Sequence, residues 1–161
     1  SAQSRGVEFE SQSQWTGSMT LTVNAAYTKS EMTSDSEPLR AKKGDDMTMV
    51  PKYNFYIAID QDLRLWDRDA NWRLDVSGYG ETNSYFNPKP TDITPAYEVV
   101  GLAGSIMATD NVRVGLYIDT LLDEDVILYA RSRSRSDWSG NALQVYHGAA
   151  RNVSVRVDFN F

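Results

Sequence analysis

Hydrophobic and polar residues alternate with a period of two along most of the chain. The pattern is clearest at the C-terminus, where Val153, Val155, Val157, Phe159 and Phe161 interleave with Ser154, Arg156, Asp158 and Asn160. It returns at Asn111–Thr120, with Val112, Val114, Leu116 and Ile118 set against Arg113, Gly115, Tyr117 and Asp119, and again at Ser18–Thr28 and Lys52–Asp60. Weaker forms occur at Gly6–Trp15, around Trp72, Leu74 and Val76, and at Tyr97–Ala108. A period of two puts successive side chains on opposite faces of a strand, and no stretch competes at the helical period. The pattern therefore predicts seven antiparallel strands, each with one apolar and one polar face.

The connections alternate in length. Thr16-Gly17, the stretch Trp66–Asn71 and Thr109-Asp110 are short enough for hairpin turns, whereas Glu31–Pro51, Tyr85–Ala96 and Leu121–Ala150 are long and carry every proline of the chain. Short turns on one rim and long loops on the other are the regular asymmetry of an outer-membrane barrel. Aromatic residues follow the same division. Trp15, Trp66, Trp72, Phe159 and Phe161 fall at the short-turn rim, and Tyr27, Tyr53, Phe55, Tyr85 and Tyr97 fall towards the long-loop rim, as in the two girdles of a barrel in a bilayer.

Composition narrows the picture by exclusion. The chain has 161 residues, 41% of them hydrophobic, with 16 basic against 22 acidic side chains and a net charge of -6, which disfavours nucleic acid as a partner. There is no cysteine and one histidine, His147, so disulfide frameworks, thiolate metal sites and most catalytic triads are excluded. No run approaches the roughly 18 apolar residues of a spanning helix. Asp67-Arg68-Asp69-Ala70-Asn71 opens like a calcium loop, but Trp72 and Gly78 stand where its Gly and bidentate Glu belong, which leaves a polar turn. Nothing points to an enzyme, a cofactor or a metal. Arg131-Ser132-Arg133-Ser134-Arg135-Ser136 reads as a solvated strand extension on an outer loop, with contact to anionic lipopolysaccharide or an anionic substrate as the sharper alternative.

An odd strand count puts the two ends of the chain on opposite rims. The chain is expected to begin in mid-barrel at a long loop, unless an eighth strand lies within Leu121–Ala150. With these features in place, the sequence resembles the C-terminal barrel region of TonB-dependent outer-membrane receptors along nearly its whole length. Ser4-Arg5-Gly6-Val7-Glu8-Phe9-Glu10 is similar to a recurring strand of that family. Gly44–Lys52 is similar to the stretch that returns an outer loop into a descending strand, and Ile118–Asp123 resembles a family strand end, with Asp119 in place of the usual Asn. The closing strand, with Val157, Phe159 and Phe161, resembles the signal read by the barrel-insertion machinery, with Arg156 where Gly is common.

The resemblance implies an all-β fold in which residues 1–161 form the C-terminal part of a plugged, 22-strand-type transmembrane barrel in the bacterial outer membrane, with no plug domain in this stretch. It implies uptake of a scarce nutrient such as a metal chelate, cobalamin or an oligosaccharide, without catalysis. Its partners would be the N-terminal barrel and plug portion, as a separate chain or a missing segment, outer-membrane lipid and, indirectly, the TonB system. Two alternatives stay open: a free-standing small barrel with an eighth strand in Val126–Arg135, and a soluble β-sandwich that binds a ligand through its long loops.

By alternation, Leu21, Val23, Phe55, Ile57, Leu74, Val114, Leu116, Val155 and Val157 are expected to face lipid. Glu8, Glu10, Asp60, Arg73, Asp75, Tyr79, Asp119 and Arg156 are expected to face the lumen. Tyr79, Glu81, Tyr85 and Asp119, closest to the long-loop rim, are the candidate ligand contacts.

Overall fold

The computed structural model describes residues 1–134 and 141–160; Arg135, Ser136 and Phe161, which figure in the expectations above, lie outside the described residues. Seven strands form one antiparallel sheet: β1 (Ala2–Thr16), β2 (Met19–Met32), β3 (Tyr53–Leu65), β4 (Arg68–Tyr79), β7 (Tyr97–Met107), β8 (Val112–Asp119) and β11 (Asn152–Phe159). Each pairs with the next in chain order. Between them lie β5 (Thr82–Asn83), a 3₁₀ turn η1 (Pro90–Asp92), β6 (Ile93–Thr94), and the hairpin of β9 (Ile127–Ser134) and β10 (Asn141–His147). No described helix is long and apolar enough to cross a membrane.

The register turns the sequence alternation into two surfaces. One row runs Ser13–Leu21–Ile59–Leu74–Leu102–Ile118–Val153 across all seven strands, flanked by Val23–Ile57–Val76–Val100 and by Trp72–Gly104–Leu116–Val155. The adjacent, opposite-facing row reads Gln14–Thr20–Asp60–Arg73–Ala103–Tyr117–Ser154. All nine residues expected on the lipid side fall on the apolar surface, and all eight expected in the lumen fall on the other.

Both surfaces are open. The chain exposes 11344 Å², whereas a compact monomer of this mass exposes on the order of 8,000 Å². Val7, Phe9, Ile57, Leu116, Val155 and Val157 are among the exposed apolar side chains. The sandwich alternative needs a second sheet over this surface, and among the described residues none covers it.

The structure corrects the expected connections. β3 and β4 extend to a two-residue turn at Trp66-Asp67, both with positive φ, instead of a turn spanning Trp66–Asn71. The charges that hide this from an apolar count pair across the ladder instead, with Arg64 opposite Asp69 at 3.5 Å. The connection Leu121–Ala150 is not a plain loop but carries the β9–β10 hairpin, and Tyr85–Ala96 includes η1 and β6.

The segment Val126–Arg135 does not supply an eighth strand to the sheet. Its described part, β9, pairs with β10 on one edge, and side chains occupy the other. Thr94 Oγ1 accepts the Ala130 N–H at 3.0 Å, Asp92 Oδ1 accepts the Ser132 N–H at 2.7 Å, and Ser84 Oγ donates to the Ala130 carbonyl. An edge whose donors are already taken cannot join another ladder.

Candidate functional site at the long-loop rim

The polar face carries a charged network at mid-sheet. Arg73 lies 3.3 Å from Asp60 and 3.8 Å from Asp75, and it donates from Nη2 to the Tyr56 hydroxyl at 2.5 Å. Nearer the short turns, Arg113 donates to Ser105, which donates to Asn71. Direct pairing places Asp60 beside Arg73 and Asn71 beside Ser105, and the other contacts run diagonally or along one strand, so the network is contained within the sheet.

At the long-loop rim two layers are built on the sheet. The first folds residues 33–52 back on the end of β2: Met32 N–H bonds the Asp45 carbonyl at 2.9 Å, Gly44 N–H the Met32 carbonyl at 2.8 Å, and Met47 N–H the Ser30 carbonyl at 2.9 Å. Gly44 holds φ at +92°, a conformation that suits a residue without Cβ. Met32 and Ala41 become buried in consequence.

The second layer clamps η1 and β6 to β9 through Asp92, which is 3% exposed. One carboxylate oxygen accepts both the Ser132 N–H and the Ser132 hydroxyl, at 2.7 and 2.6 Å, while the other accepts the Lys89 N–H at 3.1 Å. Burial alone would push this carboxyl up, but the bonds from Ser132 and Lys89 outweigh it and hold its pKa below the ordinary carboxylate value. Sequence reasoning missed Asp92. The available signal was Pro90-Thr91-Asp92, a proline-initiated turn whose third residue reaches back to the turn's entry.

Between the layers lies a cleft of about 650 Å³, lined by Tyr27, Tyr53, Arg40, Lys42, Lys52 and Glu81 among others. Lys52 pairs with Asp46 at 2.7 Å. That hydrogen bond and charge raise the Lys52 pKa, and Glu81 adds to the effect.

The four candidate ligand contacts do not converge. Glu81 lines the cleft. Tyr79 packs against Tyr97 with ring centres 5.3 Å apart on the polar face. Tyr85 reaches the Ser132 carbonyl at 3.5 Å, and Asp119 accepts from Asn152 at the β8–β11 margin. Asp67–Asn71 lies in the turn and the start of β4, and among the described residues no three acidic or histidine side chains gather as metal ligands. Arg131 donates to Gln144 and stacks on Tyr129 at 5.9 Å.

A single-layer antiparallel meander with one apolar and one polar face, tight turns at one rim and built loops at the other is a segment of a transmembrane β-barrel. The family model for the TonB-dependent receptor-like β-barrel matches residues 1–121, and the chain belongs to that family. It resides in the bacterial outer membrane.

No curated protein sequence matches the chain. Among solved structures it is similar to the ferric yersiniabactin uptake receptor FyuA from Yersinia pestis, with TM-score 0.82 and 21% identity over 99% of this chain and 24% of that one. It is also similar to the siderophore receptor PiuA from Acinetobacter baumannii, with TM-score 0.73 and 15% identity over 98% of this chain and 22% of that one. The copper transporter OprC gives TM-score 0.68 and 19% identity, covering 99% of this chain and 23% of that one. The chain thus spans about a quarter of the length of the receptors it matches.

Proposed function

We propose that the chain is the C-terminal portion of the barrel of a receptor that imports a metal chelate across the outer membrane, driven through the TonB system. The observation that carries this reading is the pair of opposed faces. A predominantly apolar surface suits lipid, and a polar surface bearing Arg73, Asp60 and Asp75 suits a water-filled lumen. The siderophore and copper receptors among its structural neighbours favour a metal chelate over cobalamin or an oligosaccharide.

In this reading the remaining barrel strands and a plug are supplied by the N-terminal portion, and they pair with β1 and β11. In hydrocarbon each unpaired backbone group on those edges would cost several kcal/mol. The ligand passes through unchanged, since transport needs binding and release but no chemistry.

The test is uptake of radiolabelled ferric siderophore and copper by cells with and without the receptor gene, each with and without TonB. The reading expects uptake of one metal species to require both genes, and the chelator to be recovered intact. Unchanged metal uptake alongside a fall in cobalamin or oligosaccharide uptake would contradict it.

A further inference from the structure

Two rings of β3 lean away from β2. The Phe55 ring lies over Gly78 of β4, where a Cβ would collide with it, and the Tyr53 ring lies over Gly80, where a Cβ would sit 3.1 Å from the ring. Ala25 stands between Phe9 and Phe55 in the same apolar row, so the strip over β2 is left open as a groove. This groove, of about 380 Å³, is walled by Val7, Phe9, Tyr27, Tyr53 and Phe55 on the outward, apolar face. It shares Tyr27 and Tyr53 with the 650 Å³ cleft between the loop layers, so the apolar groove and the polar chamber adjoin at this pair of rings.

Charge within that chamber is divided. Asp46 and Glu81 both act on Lys52, gathering two carboxylates round one cation. Asp45 turns an oxygen to the Lys42 backbone N–H at 2.7 Å. The Arg40 guanidinium and the Lys42 ammonium are exposed and have no carboxylate partner among the described residues. Leu39 and Met49, on the same loop, are also exposed.

We propose that this composite site holds a phosphate-bearing, acylated lipid of the outer leaflet, its acyl chain over Ala25 and its phosphate on Arg40 and Lys42. Planar guanidinium donors and an ammonium suit phosphate oxygens, and aromatic side chains at the level between them suit the boundary of a bilayer. The acyl groove lies off the lumen side, because Tyr27 and Tyr53 belong to the face opposite Arg73 and Asp60. The proposal rests on the membrane placement of the apolar face but not on which nutrient is carried.

The experiment is native mass spectrometry of the full receptor, released from nanodiscs of phosphatidylcholine doped with bisphosphorylated lipid A or with its dephosphorylated form. Retention of the bisphosphorylated lipid above the other two is expected. Arg40→Ser with Lys42→Ser should reduce that retention by about tenfold, as expected for losing charge-assisted contacts. Ala25→Phe, which fills the groove, should reduce it comparably. The double variant lies in an outer loop, so it stays decisive if Ala25→Phe does not assemble. Equal retention of phosphorylated and dephosphorylated lipid, or wild-type retention by the assembled double variant, would overturn the site while leaving metal uptake untouched. Failure of the wild-type receptor to enter nanodiscs would instead overturn the membrane placement beneath it.

Discussion

The sheet and the long-loop layer of this molecule hold together by different means. The sheet is a continuous backbone ladder that buries little: among the described residues, Ala58 and Ala70 are the only buried non-glycine ones in its body. Met32, Ala41, Asp92, Thr94, Thr120, Val126 and Ala130 all lie at or beyond the long-loop end of the strands. A sheet that leaves its apolar side chains exposed takes its stability from the solvent that covers them, which in the proposed placement is lipid. The loop layer meets water and must supply its own core and answer its own polar groups.

If that contrast is right, the largest effects come from charging the apolar face. Val114→Arg puts a guanidinium among Ile106 and Val157 and should cost about 2 to 4 kcal/mol, the penalty for Arg near a barrel's midplane. The assembled fraction in vesicles, read by heat-modifiable electrophoretic mobility, should fall sharply. Arg113→Ser, one residue away on the polar face, should change it little. Equal losses would erase the distinction between the faces.

The next effect is confined to the loops. Asp92→Ala leaves the Ser132 N–H and hydroxyl and the Lys89 N–H without their acceptor, at a cost of about 1 to 3 kcal/mol. Hydrogen exchange should rise in residues 88–94 and 127–134 while β3, β4 and β7 keep their protection. A loss of protection spread through the sheet would mean that the two regions are one cooperative unit.

The same clamp has a pH signature. Because the folded pKa of Asp92 is lowered from 3.8, its contribution is fully present above that value and is lost as pH falls through the folded pKa. Proteolysis within residues 127–134 should therefore be equally slow at pH 7 and pH 5 and accelerate only below pH 3.8. Acceleration between pH 7 and pH 5 would point to a different titrating group.

The smallest effect has the opposite sign. Asp67 sits at φ 59° in the two-residue turn, next to Trp66 at φ 49°. Such turns favour glycine, so Asp67→Gly should stabilise the β3–β4 hairpin by about 0.5 kcal/mol. The change would appear in the unfolding midpoint in urea. A clear loss would mean that the Asp67 side chain holds the turn.

The same division explains what the sequence discloses. Every strand of the sheet is legible because each residue's face is fixed by parity alone, as Val153 to Phe159 show. The far ends of β3 and β4 are not, because Gln61 interrupts the apolar face ahead of Leu63 and Leu65, and β4 opens on Arg68 and Asp69, the latter paired with Arg64. β9 is an extended segment by pattern, but whether it joins the sheet depends on Asp92 and Thr94, some 36 to 40 residues away in sequence. Of the candidate contacts, Glu81 reaches the cleft, whereas Arg40 and Lys42 come from a loop whose folding on β2 leaves no periodic trace.

The most direct test of the two-faced sheet uses spin labels. The chain contributes no cysteine of its own, so single substitutions along β8 can be labelled cleanly in the full receptor in vesicles. Labels at Val114, Leu116 and Ile118 should be accessible to oxygen and shielded from a water-soluble nickel chelate, with the reverse at Arg113, Tyr117 and Asp119. Accessibility that does not alternate along β8, or alternates in the opposite phase, would contradict the account.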